Sequence, residues 1–387
     1  MVSGADRPRG HERKPLKVAC LGGGYHSAVG RCHHAALAMD RRFEVVAGCF
    51  SLDPRDNEFS AAMYGVPPDR TYASLAELLR REAGQVQAFV ILTPTDQHAG
   101  HVVECLDNGI PVICEKALAV SGEEIRTIGA KLEATSGFLA VTYNYLGYPM
   151  VRELRAMIAA GELGNVKQIQ IEMPQEGFIR RDAHGDPVVP QDWRLRDHEV
   201  PTISLDLGVH VHSIVSYLTE QTPAEVVALA GSLGNFRNIV DNVVCIARYS
   251  GDLQCTFWYS KTALGYRNGL KVRVFGDKAG AEWLQENPEV IQFSDCFGKR
   301  SLLDRASAGI REANNARYSR FKAGHPAGFI EAFANYYADV ADALEVHLNI
   351  ARHAVHPSVC GLPTALEGIT LLEAISRSAK EMRWVKA

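Results

Sequence analysis

No C-x-x-C pair occurs in this 387-residue chain, although it holds nine cysteines. An odd count without framework spacing excludes a disulfide scaffold and points to a reducing compartment. Cys20, Cys114 and Cys245 fall inside apolar runs, where cysteine serves as a small hydrophobe. No apolar run reaches the roughly 18 residues that a membrane helix needs. Basic residues gather only in short runs such as Arg13-Lys14, and the formal net charge is -4, which argues against a nucleic-acid partner. Residues 1–14 read as a disordered polar tail with no apolar signal segment, so a cytoplasmic location is expected. His33-His34 and His210-x-His212 lack a third ligand at a recognisable spacing, so no metal is expected. The absence of a G-x-S-x-G motif leaves a serine nucleophile unsupported.

What is present first is a glycine turn. Lys17-Val-Ala-Cys-Leu-Gly-Gly-Gly-Tyr-His-Ser27 runs from a buried-strand pattern into three glycines, and a helical pattern opens near Ala28. Gly22-x-Gly24 lets backbone approach a pyrophosphate, and the following helix N-terminus supplies N–H donors and a favourable dipole. The third position of G-x-G-x-x-G is Ser27 rather than glycine. A glycine turn without a ligand is the alternative reading.

The length calls for two domains. Strands are expected at 17–21, 43–49, 88–93, 111–115 and 137–143, alternating with helices at 28–40, 74–82, 97–108 and 121–135. Their strands are continuous apolar runs, which suits a parallel sheet covered on both faces. Ser121 and Glu124 form a capping box. Residues 15–143 thus predict a doubly wound α/β domain. In residues 144–387 the pattern changes. A helix at 150–160 and a strand at 166–172 precede an irregular stretch at 173–204. Strands at 225–230, 243–249, 253–259, 270–275 and 281–284 are joined by turn residues, as in hairpins. Residues 295–324 are poorly patterned, and helices are expected at 326–347 and 364–382. This is an α+β domain with a mostly antiparallel open sheet, whose uncovered face calls for a second subunit.

Three further constellations could carry chemistry. Thr93-Pro94-Thr95-Asp96-Gln97-His98 leaves a buried strand, where loops line the ligand crevice of such sheets, although Asp96 suits a helix cap better. Glu115-Lys116 ends another strand; Lys116 is a proton donor or hydroxyl ligand, or else a surface pair. Asp206 and His210 lie one turn apart if residues 206–218 are helical, so that the carboxylate can orient the imidazole for acid/base work. A hydrogen-bonded structural histidine is the bland alternative. Asp53, the first carboxylate after the second strand, would hold the ribose of NAD, whereas Ser51 with Arg55 would accept the 2′-phosphate of NADP.

The order glycine turn, T-P-x-x-x-H, E-K and D-x-G-x-H resembles the glucose–fructose oxidoreductase/inositol dehydrogenase/rhizopine-catabolism (Gfo/Idh/MocA) family. Asn144-Tyr-Leu-Gly-Tyr-Pro149, Trp193-Arg194, Trp283 with Glu286, and His325-Pro through Phe333-Ala-Asn335 look like its sugar-dehydrogenase branch. The resemblance implies an N-terminal Rossmann domain, a C-terminal α+β domain whose open sheet makes a homodimer or homotetramer, and a nicotinamide cofactor. It implies hydride transfer at a secondary alcohol of a sugar, sugar derivative or cyclitol. By position, Lys116, Asp206 and His210 are the expected catalytic residues. Gly22, Gly24, Tyr25, His26, Ser27, Ser51, Asp53, Thr93, Pro94, His98, Glu115 and Lys116 are expected to meet the cofactor. Lys116, Tyr145, Tyr148, Trp193, Arg194, His210 and His325 are expected to face the substrate, with core burial the alternative for the aromatics. Ala117 stands in place of the proline of E-K-P, Thr95 where asparagine is common, and Ser213 where an aspartate is frequent; residues 198–204 lack a glycine-rich approach. A redox-neutral enzyme that uses NAD transiently and a dinucleotide-binding sensor remain as alternatives.

Overall fold

The computed structural model describes residues 14–387 except 28, 319 and 353. The expected tail lies outside the described residues but for Lys14, as does Ala28, the expected start of the first helix. The first half of the chain runs β1 (Leu16–Gly22), α1 (Gly30–Met39), β2 (Phe43–Cys49), α2 (Pro54–Met63), α3 (Leu75–Glu82), β3 (Ala88–Leu92), α4 (Thr95–Asp107), β4 (Val112–Glu115), α5 (Gly122–Thr135) and β5 (Leu139–Thr142). Its five strands pair in parallel in the order β2-β1-β3-β4-β5. A parallel bridge from Gly48 to Thr71 adds the vestige of a sixth position, which gives the strand order of a doubly wound dinucleotide fold. Val18, Ala19, Val90 and Ile91 are wholly buried, as the continuous apolar runs require of a sheet covered on both faces. Ser121 caps α5 by accepting the Glu124 N–H at 3.3 Å, and Glu124 reaches back to the Val120 N–H at 3.0 Å.

Helix α2 was not expected. Its apolar residues make no stripe, but Asp53-Pro54 carries an N-terminal signal: the Asp53 carboxylate accepts the Asp56 N–H at 2.9 Å with proline at the first helical position.

The second half runs α6 (Pro149–Ala159), β6 (Val166–Pro174), α7 (Val209–Thr219), β7 (Pro223–Gly231), β8 (Asn242–Tyr249), β9 (Gln254–Ser260), β10 (Lys271–Gly276), β11 (Ala279–Leu284), β12 (Asn287–Asp295), β13 (Arg300–Leu303), α8 (Phe329–His347), α9 (Leu362–Glu381) and β14 (Val385–Lys386). Nine strands form one sheet, β13-β12-β11-β10-β6-β9-β8-β7-β14, antiparallel throughout except at the central β6–β9 pair. Strands β12 and β13 escaped the sequence reading because Pro288 interrupts one run and the other is a short, largely exposed edge.

The two halves share their cores. Helix α8 supplies Phe333, Tyr337, Val340 and Leu344 to the cluster that contains Leu16, Val18 and Val90. A helix from the far end of the chain therefore covers one face of the parallel sheet. Helix α9 packs on α5, α7 and β7. These contacts clamp the carboxyl ends of β1, β3 and β4 against the start of α7, where the cleft lies.

Candidate active site

The cofactor wall is made of backbone. Gly22 has φ +78, and a Cβ there would sit 2.8 Å from the Leu92 carbonyl oxygen. A Cβ on Gly24 would come 3.0 Å from the Phe50 carbonyl oxygen. The position that needs a third glycine is Gly30, where a Cβ would lie 2.1 Å from the Gly23 carbonyl oxygen. The turn is thus longer than G-x-G-x-x-G implies, and Ser27 stands inside it, its N–H bonded to the Gly24 carbonyl at 2.8 Å. Helix α1 starts after Val29 with no side-chain cap. Among the described residues its first-turn N–H groups therefore have no side-chain cap, and the glycine cradle fits a pyrophosphate.

Ser27, Thr93, Pro94, Glu115 and Lys116 line one cleft beside that turn. Tyr25 and His26 flank it: the Tyr25 N–H donates to Ser60 Oγ at 2.9 Å, and the His26 ring stacks on Phe59 at 5.3 Å. Ser51 and Asp53 stand at the start of α2, where Ser51 Oγ accepts the Asp53 N–H at 3.2 Å.

His98 is buried, with Nδ1 2.7 Å from the Ala117 carbonyl oxygen and Nε2 2.8 Å from that of Thr93. Burial lowers its pKa, and a neutral imidazole donates to only one of the two. It bridges the loops after β3 and β4. Glu115 accepts the Thr142 hydroxyl at 2.5 Å and faces His33 Nε2 at 3.3 Å. Burial would raise its pKa, but these partners and Lys116 outweigh it and hold the carboxyl at about 2. The Lys116–Ala117 peptide is cis.

The opposite wall is made of charge. Residues 204–208 form a π-helical turn ahead of α7. Lys116 Nζ donates to Asp206 Oδ1 and to the Asp206 carbonyl, each at 2.8 Å. Lys261 Nζ donates to Oδ2 at 2.6 Å, and Arg194 Nη1 donates to the same oxygen. Burial alone would raise the Asp206 pKa, but Lys116, Lys261 and Arg194 hold it well below the usual carboxylate range. Lys261 was missed, although it follows β9 directly, as Lys116 follows β4.

His210 departs from expectation in one respect. Asp206 does not orient it: the carboxylate is taken by three cations, and His210 Nδ1 is buried with no hydrogen-bond partner among the described residues. Cationic donors outcompete a neutral imidazole for a carboxylate, and the wider i→i+5 turn breaks the i, i+4 stacking assumed for an α-helix. Burial and then Lys116 push the His210 pKa down to about 3. Its ring stands edge-on to Tyr145 at 4.7 Å.

The expected substrate residues divide. Trp193 and Arg194 line the cleft with Lys116 and Asp206, and the guanidinium lies over the indole at 4.3 Å. Tyr145 is buried beside His210, with its hydroxyl accepting from Asn268 at 2.9 Å. Tyr148 is a core residue, packed on Trp283 with a centroid separation of 5.2 Å. His325 is exposed and packs against Phe321, away from the cleft lining. Both corrections share a cause: residues near a motif in sequence turn to whichever face their own backbone presents.

The family model described as an oxidoreductase family with an NAD-binding Rossmann fold matches residues 16–143, and the Gfo/Idh/MocA C-terminal domain matches 151–282. The chain belongs to the Gfo/Idh/MocA oxidoreductase family. Its relatives include the uncharacterized oxidoreductase YfiI of Bacillus subtilis, 27% identical over 95% of each chain. The structure of an inositol dehydrogenase homologue of Azotobacter vinelandii with NAD+ is 28% identical over 100% of each chain, with a TM-score of 0.88. The same homologue with NADH and myo-inositol gives a TM-score of 0.86 at 28% identity, over 97% of this chain and 98% of that one. The Gfo/Idh/MocA chain described here is accordingly an NAD-binding oxidoreductase of Rossmann type. Among its described residues no helix is long and apolar enough to cross a membrane.

Proposed function

We propose that this protein is a dehydrogenase acting on a secondary alcohol, or the matching ketone, of a sugar, sugar derivative or cyclitol. The observation that carries the reading is the pairing of Lys116 with Asp206 in the cleft beside an uncapped glycine cradle, with His210 four residues further on, buried and not itself part of the cleft lining. When bound, the nicotinamide supplies hydride acceptance and return at carbon. The protein's own residues supply the rest. A neutral His210 is assigned to take the hydroxyl proton; burial keeps the imidazole unprotonated at neutral pH but leaves it a weak base in the free protein, so the reading requires bound substrate to raise its basicity. Lys116 donates a hydrogen bond to the reacting oxygen as charge develops there. Asp206 positions Lys116 rather than the imidazole. His98 and Glu115 brace the loops that present the cofactor wall.

The myo-inositol complex of the Azotobacter vinelandii homologue supports a polyhydroxylated substrate. The test is absorbance at 340 nm with NAD and then NADP across free sugars, anhydrosugars, cyclitols and sugar nucleotides. A rise with one substrate class is the expected result; a flat trace across the panel, with NAD bound, would reject the reading.

The assembly proposed with this function is a homodimer or homotetramer through the nine-stranded sheet. Leu229, Val244 and Trp258 are cross-strand neighbours on β7, β8 and β9, and Leu229 and Val244 are 57% and 40% exposed. Such an apolar row on an open face is buried by a second copy. Light scattering on the purified protein should show a multimer, and a monomer would reject this part.

A further inference from the structure

At one edge of the cleft three cations share a single carboxylate. Lys116, Lys261 and Arg194 all converge on the single carboxylate of Asp206, and none of the three has a second carboxylate at ion-pair distance among the described residues. Arg196, two residues from Arg194, lines the same cleft, and among the described residues no carboxylate pairs with it. The nearby acids are committed elsewhere. Both oxygens of Asp197 accept backbone N–H groups, from Thr202 and Val240. Glu115 serves Thr142 and His33 and answers Lys116 only in part, without an ion pair to it, and Asp96 is exposed on the first turn of α4.

Lys116, Lys261 and Arg194 are held largely out of water around one carboxylate, an arrangement that is costly unless a ligand completes the pairing; Arg196 is exposed on the lining of the same cleft. One developing negative charge on a reacting oxygen would answer Lys116 alone. The arginines are better suited to a permanent anion. Arg194 uses one nitrogen on Asp206, and its plane is set by stacking on Trp193 at 4.3 Å, so its remaining N–H groups are presented in a fixed fork.

We infer, resting on the dehydrogenase reading above, that the substrate carries a fixed anionic group, a carboxylate or a phosphate, held by Arg194 and Arg196. Lys116 and His210 then address its reacting hydroxyl. Sugar acids and sugar phosphates are the class that combines both features. Lys261 neutralises the Asp206 oxygen that Arg194 also uses, so Arg194 can offer its remaining N–H groups from its fixed position without the carboxylate depending on it alone.

The experiment compares NAD-loaded wild type and Arg196→Gln on matched sets: a neutral aldose or cyclitol, the corresponding sugar acid and the corresponding sugar phosphate. The expected result is a kcat/KM at least about tenfold higher for one anionic member, about 1.4 kcal/mol of preference. That preference should collapse in Arg196→Gln through KM, and the better anion identifies carboxylate or phosphate. A neutral member turned over equally well, or an equal loss on both kinds of substrate in the variant, would overturn the inference. So would a matching loss of NAD affinity, because the cations would then serve the cofactor's own phosphates. If nothing is oxidised, the dehydrogenase reading fails, and calorimetric titration of the same acids and phosphates decides the anion site separately. Binding that is weakened in Arg196→Gln upholds the site, and no binding removes it.

Discussion

The glycine turn at Gly22–Gly30 and the cluster around Asp206 face one cleft, yet they are built from opposite materials. The turn works by having no side chains: Cβ atoms at Gly22, Gly24 and Gly30 would meet backbone carbonyls at 2.8, 3.0 and 2.1 Å. The cluster works through charged side chains, drawn from residues 116, 194, 206 and 261 in four separate segments, with the Asp206 carbonyl as one further acceptor. A backbone site is rigid and local, so it tolerates no added atom. A charge site is long-range, so each member is replaceable in volume but not in charge. Sterics should dominate damage to the first wall, and catalysis and pH dependence damage to the second.

The largest effect expected is on the charged wall. His210→Ala should lower kcat by ~10²-fold or more if the imidazole is the base, and because the ring is buried against Tyr145 the variant should also lose some thermal stability, so turnover is read where it remains folded; full turnover would remove His210 from the chemistry. With its pKa at about 3, the wild-type pH profile of kcat/KM should show no acid limb near pH 6.5 from this group. A limb there would mean that His210 is solvated in the working enzyme.

The backbone wall comes next. Gly30→Ala forces a Cβ against the Gly23 carbonyl, so it should destabilise the protein by about 1–3 kcal/mol and weaken NAD binding in the same samples. A normal Tm together with normal NAD affinity would show that the turn yields, and the contrast between the walls would lose its basis.

A smaller effect lies between the walls. Glu115 titrates at about 2 instead of its ordinary 4.5. A depressed carboxylate contributes stability that is full above about pH 4.5 and lost as pH falls toward 2. Glu115→Gln should therefore lose less stability than wild type between pH 5 and 3 in denaturant titrations. Parallel losses would mean that the buried Thr142–Glu115–His33 contacts do not hold in solution.

The smallest change is Asp53→Ala. It removes the cap of α2 and should cost about 1 kcal/mol. A change in NAD-over-NADP preference in the same variant would add a cofactor role to the cap.

Much of this was legible before any coordinates. Continuous apolar strands, the glycine turn, and lysine or threonine directly after a strand are one-dimensional signals, because strand ends and sharp turns are local events. Helix α2 was legible too, through Asp53-Pro54, but only to a reading that weighs caps above periodicity. Strands β12 and β13 were not, because Pro288 interrupts the apolar run of the first and the second is a short, largely exposed edge.

The site was legible in its members and not in its pairings. Lys116, Asp206 and His210 stand out in the sequence, but sequence proximity suggested that Asp206 serves His210. Only the tertiary structure shows the carboxylate given to Lys116, Lys261 and Arg194, with the imidazole left beside Tyr145. It likewise moved Tyr148 into the core, His325 to the surface, and α8 onto the parallel sheet. What the sequence determined by itself were features set within a few residues: strand, turn, cap and the chemical types at strand ends. The allocation of charge among residues 12 to 145 positions apart was decided by packing, because Coulomb attraction and burial follow distance in space and carry no memory of distance along the chain.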